Sequence, residues 1–336
     1  MVEKGHGRST VDPSTLDTPG RGNDGAKQEG KSHKAKEKTH AKIFSAKKAI
    51  RVLVTSHDAF LASCARPYIT KEVMLAQLQK QPHRGRKQPA GPKGAYAYVD
   101  EPLGNGCSGT VFRAVHSATG TSVAIKVVPL VESRVQYIEN ELSIHQSLRH
   151  DGIVELYDWF LNKTELHMVQ QLVPHGSLDN YADFTVAEVA LLLKKLAAAV
   201  GYLHGLGFVH ADIKPENVLM SETGLPLLAD FGMSLRPSYE QPDMLRGTPE
   251  FMAPELWAGR CNSTKSDVWA LGVLAYELLT GSVPFDAAEC VARTALSKGN
   301  LQDDAFQFIA LLLRKDPAER PEIAEILTHP WLNAAH

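Results

Sequence analysis

Residues 210–217 read His-Ala-Asp-Ile-Lys-Pro-Glu-Asn, and Asp230-Phe231-Gly232 follows a short way downstream. These two stretches place a carboxylate (Asp212), an ammonium (Lys214), an amide (Asn217) and a second carboxylate (Asp230) in close succession. Side chains of these types can accept a hydroxyl proton, neutralise charge on a phosphate in transit and hold magnesium. Ala211, between His210 and Asp212, is an uncharged residue in an otherwise polar run.

Upstream, Gly104-Asn105-Gly106-Cys107-Ser108-Gly109 precedes Thr110 and Val111 and lies between two strand-like runs, AYVDEPLGNG and SGTVFRAV. Glycines there let backbone amides approach phosphates without side chains in the way. Alone, the spacing also suits a plain hairpin turn or a dinucleotide fingerprint. The chain continues as strand rather than helix, which argues against the dinucleotide reading. SVAIKVVPL is a third strand carrying Lys126. An isolated lysine on a strand is most often a surface residue, but Glu141 opens a helical pattern fifteen residues later and offers it a partner. Helix is expected at 137–149, and IVELYDWF and ELHMVQQL read as two further strands. Beyond Gly176 the pattern turns helical in VAEVALLLKKLAAAVGYLH, KSDVWALGVLAYELLTG, DDAFQFIALLLRK and RPEIAEILTHPWL. Five strands followed by a helical body make an α+β plan with two lobes.

The whole chain has 336 residues and a net charge of −2, with 43% hydrophobic and 22% charged residues. That near-neutrality hides an asymmetry. Residues 1–95 hold 19 Lys and Arg against 8 Asp and Glu, which leaves 17 against 30 for the remainder. A basic arm thus precedes an acidic body. Residues 1–40 have almost no large apolar side chains and are expected to be disordered. AIRVLVTS could form a short strand, ITKEVMLAQLQK has helical spacing, and residues 79–94 read as a Pro/Gly/basic linker. No aromatic interleaving accompanies the basic residues, which disfavours a nucleic-acid partner. The cysteines at 64, 107, 261 and 290 have no CxxC spacing, so neither a disulfide framework nor a zinc site is indicated. With no apolar leader and no membrane-length apolar run, an intracellular location is expected, cytoplasmic or nuclear.

The ordered set of motifs resembles the eukaryotic-type protein kinases, serine/threonine branch, over about residues 95–333. It comprises the glycine loop, VAIK, Glu141, HADIKPENVL, ADFG, GTPEFMAPE (247–255), SDVWALG and DPAERP. The resemblance implies a two-lobed fold, with a five-stranded β lobe carrying one helix (95–175) and a mainly helical lobe (176–333), after a basic, mostly disordered extension and linker (1–94). It implies ATP and Mg2+ as cofactors and protein hydroxyls as substrates. Asp212 would take the catalytic aspartate's role, and Lys214 would contact the transferring phosphate. Lys126, paired with Glu141, would hold the α/β-phosphates, and Asn217 and Asp230 would hold metal.

Gly104, Asn105, Gly106, Cys107, Ser108 and Gly109 would cover the nucleotide. Val111, Ala124 and Leu219 would sandwich the adenine, with Gln170 as gatekeeper and Gln171, Leu172 and Val173 as hinge. For the two glutamines, simple local hydrogen bonding is the alternative. Thr248 would support Asp212, Glu255 would pair with Arg320, and Asp267 would brace the catalytic loop. Otherwise Asp267 caps a helix and Arg320 is a solvated charge.

The chain departs from the family pattern at Ala211, where an arginine usually pairs with phosphate on the activation segment. Phosphorylation among residues 233–247, where Ser234, Ser238 and Tyr239 stand, is therefore not expected to act through this contact. His145 replaces an apolar member of a spine with Leu156, His210 and Phe231, and is expected to be buried and neutral. The rival function is a pseudokinase-like scaffold, which loss of any one of Lys126, Asp212, Asn217 or Asp230 would favour.

Overall fold

A computed structural model of the chain describes residues 71–80, 95–106, 108–237, 246–285 and 288–334. The expected disorder over 1–40, the strand in AIRVLVTS, residues 81–94 of the linker, Cys64, Cys107, Ser238 and Tyr239 lie outside these residues.

The small lobe is a five-stranded antiparallel sheet of β1 (Tyr96–Gly106), β2 (Gly109–His116), β3 (Ser122–Pro129), β4 (Leu156–Leu161) and β5 (Glu165–Gln171), in spatial order β1-β2-β3-β5-β4. Its central strand, β3, is buried on both faces. Val123 and Ile125 join Ala114 and Val169 in one apolar cluster, while Val128 joins Leu156, Leu166 and Met168 in another. Alternation along the strand sends Ala124 and Lys126 to the side opposite Val123 and Ile125.

Two helices cover the second cluster. Helix α1 (Lys71–Lys80) realises the helical spacing of that stretch and takes in Gln79 and Lys80, at the start of the linker-like run. Its Met74 is fully buried beside Val135, Ile138 and Leu142 of helix α2 (Val135–Ser147). Burying such a side chain is worth about 1.5–3 kcal/mol. Helix α2 starts two residues before the expected 137, because the 3-10 turn Glu132–Arg134 runs straight into it. It ends at Ser147, where Leu148 turns extended and drops into the core.

The large lobe is built on α3 (Val186–Gly205). A capping box starts it, with Thr185 Oγ1 accepting from the Glu188 amide and Glu188 Oε2 accepting from the Thr185 amide. Val189, Leu192, Leu193, Leu196, Val200 and Leu203 line its inner face at three- and four-residue intervals. The hairpin of β6 (Val218–Met220) and β7 (Pro226–Leu228) and the short helix α4 (Pro254–Trp257) follow. Helix α5 (Thr264–Thr280) is buried from Ser266 through Tyr276, as the central helix of a body must be. A Cβ on its Gly272 would come within 2.9 Å of Leu312 and Leu313, so only glycine allows this approach.

Helix α6 (Ala288–Arg293) packs against α4, α7 (Asp303–Leu312) against α5, and α8 (Ile323–Thr328) and α9 (Pro330–Asn333) against α3. The spacing in RPEIAEILTHPWL predicts a single helix where the structure has these last two. Pro330 has no amide hydrogen to continue α8, and the chain breaks at His329. Among the described residues, no helix is long and apolar enough to cross a membrane.

Candidate active site

The β6–β7 hairpin brings the two motifs of the opening stretch together. Val218 pairs with Leu228, so Asn217, just before β6, lies beside the chain that leaves β7 toward Asp230. The Ala229 amide donates to the Asn217 carbonyl at 2.9 Å and fixes this junction.

Asp212 is tethered from three directions. Thr248 Oγ1 donates to its Oδ1 at 2.7 Å, while Asn217 Nδ2 (2.8 Å) and Lys214 Nζ (3.3 Å) approach its Oδ2. Lys214 Nζ also donates to Thr248 Oγ1 at 2.7 Å, so the threonine links the activation segment to both residues. The loop that presents Asp212 is strained, because Ala211 sits at φ 65°, in the left-handed region that side chains disfavour. Asp267 holds it there. Its Oδ1 accepts from the Ala211 amide at 2.9 Å, and its Oδ2 accepts from the His210 amide at 2.9 Å and from His204 Nε2 at 2.8 Å. Asp267 therefore braces this loop, and the start of its own helix is capped by Ser263 instead. Gly247, at φ 119°, passes so close that a Cβ would lie 2.8 Å from the Ala211 carbonyl.

The second half of the site belongs to the small lobe. Lys126 Nζ lies 2.5 Å from Glu141 Oε1 and 2.9 Å from Asp230 Oδ1. Burial works against the lysine's charge, but the carboxylates of Asp230 and Glu141 outweigh it and raise its pKa. Burial likewise opposes ionisation of Asp230. Lys126, the Gly232 amide at 3.1 Å and Ser108 Oγ at 2.9 Å nevertheless hold its carboxyl well below the usual carboxylate range.

Asp230 thus presents an anionic carboxylate oxygen. Asn217, with Nδ2 turned to Asp212, has its Oδ1 end available for a cation. The pair fits a hard, oxygen-loving ion such as Mg2+. Ser108 Oγ reaches Asp230 from the glycine loop, a contact no motif spacing foretold.

Val111 pairs across the sheet with Lys126, and Ala124 with Gln170. Cross-strand partners share a face, so Val111, Ala124 and Gln170 line the side from which Lys126 reaches Asp230. Leu219 bridges to Ser177, a few residues after Gln171 and Val173. Gln171 spends its amide on the Glu155 carbonyl (2.8 Å), and its side-chain oxygen accepts from the Glu155 amide (3.4 Å). Local hydrogen bonding thus engages this glutamine's backbone amide and side-chain oxygen. In the glycine loop, Gly104 pairs with Val111, Asn105 with Thr110 and Gly106 with Gly109. Gly109, at φ 148°, has no room for a Cβ, which would lie 2.5 Å from the Val127 carbonyl.

His145 is buried against Phe231, ring centroids 4.8 Å apart, and Phe231 in turn meets His210 at 5.3 Å. Its Nε2 lies 2.8 Å from the Val154 carbonyl, so that nitrogen carries the proton. Burial lowers its pKa from 6.5 to about 4. The unfolded chain therefore binds this proton at a higher pH than the folded one does. Stability is complete above pH 6.5 and falls as pH drops toward 4, by about 3 kcal/mol in all. Urea midpoints at pH 7.5 and pH 5 should differ less in His145→Leu than in the wild type; an equal difference would show that His145 is solvated.

Residues 98–332 match the family described as "Protein kinase domain". The chain is 30% identical over 274 residues to the Aurora kinase of Schizosaccharomyces pombe, covering 75% of this chain and 77% of that one. It is 31% identical over 252 residues to Aurora kinase B of Danio rerio, covering 70% and 78%, and 30% identical over 252 residues to the Aurora kinase of Encephalitozoon cuniculi, covering 70% and 93%. With the tethered aspartate, the Lys126–Glu141 pair and the two lobes in place, the chain belongs to the protein kinase family and is a serine/threonine protein kinase.

Proposed function

We propose that Asp212 is the base that takes the proton of a seryl or threonyl hydroxyl as its oxygen bonds to the γ-phosphorus of ATP and the bond to ADP breaks. Lys214 neutralises charge on the phosphoryl group in transit. Lys126, held by Glu141, grips the α/β-phosphates. The glycine loop (Gly104 to Gly109) covers the nucleotide, and Val111, Ala124, Leu219 and the backbone of Gln171 and Val173 hold the adenine. Asn217 and Asp230 are the residues that would hold Mg2+, which when bound neutralises and orients the phosphates. The observation carrying this reading is the convergence of Thr248, Asn217 and Lys214 on one carboxylate, Asp212. A scaffold has no need to orient a base in this way.

The substrate proposed is a protein segment with basic residues before the phosphoacceptor. Glu277 is the supporting feature, and no motif announced it. Burial, and then Glu216 and Glu250, push its carboxyl pKa up. Among the described residues, its buried Oε2 has no hydrogen-bond partner. A substrate guanidinium would relieve both conditions. Its preference would weaken as pH falls through that raised pKa, since the protonated acid no longer attracts a cation. Met233, after the Asp-Phe-Gly triplet, suits serine over threonine.

An arrayed peptide assay with labelled ATP tests these points together. Arginine before the serine should raise kcat/KM about tenfold over alanine, and Glu277→Gln should abolish most of that gain. Equal rates for arginine and alanine peptides would exclude the basic preference.

Control through Ala211 is proposed to differ from the common scheme, because an alanine offers no cation to a phosphate. Ser234 supports this: it is fully buried, with Oγ donating to the His210 carbonyl at 3.2 Å. The basic arm, with Ser9, Thr10, Ser32 and Ser45, is proposed to enter the acidic cleft in cis, in a cytoplasmic or nuclear setting. A deletion ending before Lys71 tests this, since removing Met74 would open the small-lobe core. Unchanged activity and autophosphorylation would exclude it.

A further inference from the structure

The activation segment and α2 meet through groups that the catalytic motifs do not include. Arg246, just before Gly247-Thr248, is 8% exposed. Its Nη1 donates to the carbonyls of Met233 (3.2 Å) and Ser234 (3.3 Å), at the other end of the segment. Its guanidinium lies 5.0 Å above the ring of Tyr137. Asn140 Nδ2 donates to the same Ser234 carbonyl. Tyr137, Asn140 and Glu141 stand at three- and four-residue intervals on α2, so they share the face that carries the Lys126 ion pair. The Ser234 carbonyl therefore receives one donor from α2 and one from the far end of the segment. Ser234 is itself pinned by Leu235, whose backbone exchanges both hydrogen bonds with Val209 beside the catalytic loop.

We propose that Arg246 is a positioning residue: its fixed cation draws both ends of the activation segment onto α2 and keeps Glu141 on Lys126 without a phosphorylated side chain. An arginine suits this task, because one guanidinium can donate to two carbonyls in its plane while its face lies on an aromatic ring. The cation and its acceptors are encoded in the chain, so the clasp forms on folding. This goes further than the lack of arginine at 211, because it names the group that takes over. It rests on the kinase reading, and the two are separable: Asp212→Asn should abolish transfer and leave α2 undisturbed, whereas Arg246→Ala should disturb both.

The test uses the full chain, treated with phosphatase and shown by mass spectrometry to carry no phosphate. Steady-state kinetics are combined with hydrogen exchange over residues 135–147. Dephosphorylated wild type should keep its activity within about twofold. Arg246→Ala should lower kcat about 10- to 100-fold with peptide KM changed less than about threefold, and should speed exchange in α2. Arg246→Lys, which keeps the charge but not the planar face over Tyr137, should recover part of the rate. Asn140→Ala should not combine additively with Arg246→Ala, since both remove a donor from one carbonyl.

The proposal is overturned if dephosphorylated wild type loses as much activity as Arg246→Ala, or if Arg246→Ala keeps wild-type rate and exchange. Should Arg246→Ala not fold, Arg246→Lys and Asn140→Ala decide: wild-type kcat and exchange in both would overturn it, and a partial loss with faster exchange would support it.

Discussion

Asp212→Asn should lower the rate of phosphoryl transfer by about 10²- to 10⁴-fold, the range for removing a positioned general base. The substitution is nearly isosteric, so packing around Ile213 and Asn217 should survive. What changes is the hydrogen-bond chemistry. Oδ1 of Asp212 accepts from Thr248, and Oδ2 faces Asn217 Nδ2 and Lys214 Nζ. An asparagine can turn its oxygen to only one of these sides, and its own amide must face donors on the other. Lys214 already has a second acceptor in Thr248, which limits the local cost to about 1–3 kcal/mol. Nucleotide affinity should hold within a few-fold, because Lys126, Glu141 and Asp230 form a separate cluster. Initial rates on a basic serine peptide, with nucleotide binding measured in parallel, check this. A variant keeping more than about a tenth of wild-type rate would exclude Asp212 as the base. One that lost nucleotide binding as well would make the residue structural.

Much of this site could be read from the chain, because the chemistry depends on residues close together in sequence. Asp212, Lys214 and Asn217 share one loop, and the strand-then-helix pattern permits a Lys126–Glu141 pair across fifteen residues, which the resemblance assigns. Thr248 and Asp267 were placed only through the resemblance, and the structure gives the reason for each. Thr248 closes the gap between Lys214 and Asp212, and Asp267 holds the two amides of a strained turn.

Arg246, Asn140 and Glu277 were not legible. Their roles depend on backbone carbonyls or distant carboxylates, and no spacing rule records where a carbonyl will point. Met74 was half legible. Its helical interval was visible, but burial of that helix against α2 depends on apolar partners 60 and more residues away. The split of the final helix at His329 followed from Pro330 and could have been drawn from the sequence.

The largest loss of stability is expected at Arg320, far from the phosphoryl-transfer chemistry. This side chain is 2% exposed, and each of its five N–H groups has an acceptor. Nη1 and Nη2 meet Glu255 Oε1 and Oε2, each at 2.7 Å. The other three donors reach the carbonyls of Arg314 (2.8 Å), Lys265 (2.8 Å) and Lys315 (3.3 Å), and the guanidinium lies 5.0 Å over Trp269. Arg320→Met would keep the volume but leave Glu255 as a buried, unpaired carboxylate. That change should cost about 3–5 kcal/mol, the usual penalty for breaking one side of a buried ion pair. Activity should fall as well, because Glu255 opens α4 only seven residues after Thr248, so slack there reaches the tether on Asp212.

Replacing both partners, Glu255→Leu with Arg320→Met, should restore part of the stability, since no charge is then stranded. Urea denaturation of the three variants measures the coupling directly. Arg320→Met within about 1 kcal/mol of wild type would place the pair in water. A double variant weaker than the sum of the singles would mean that the three carbonyls, rather than the ion pair, are what Arg320 chiefly satisfies.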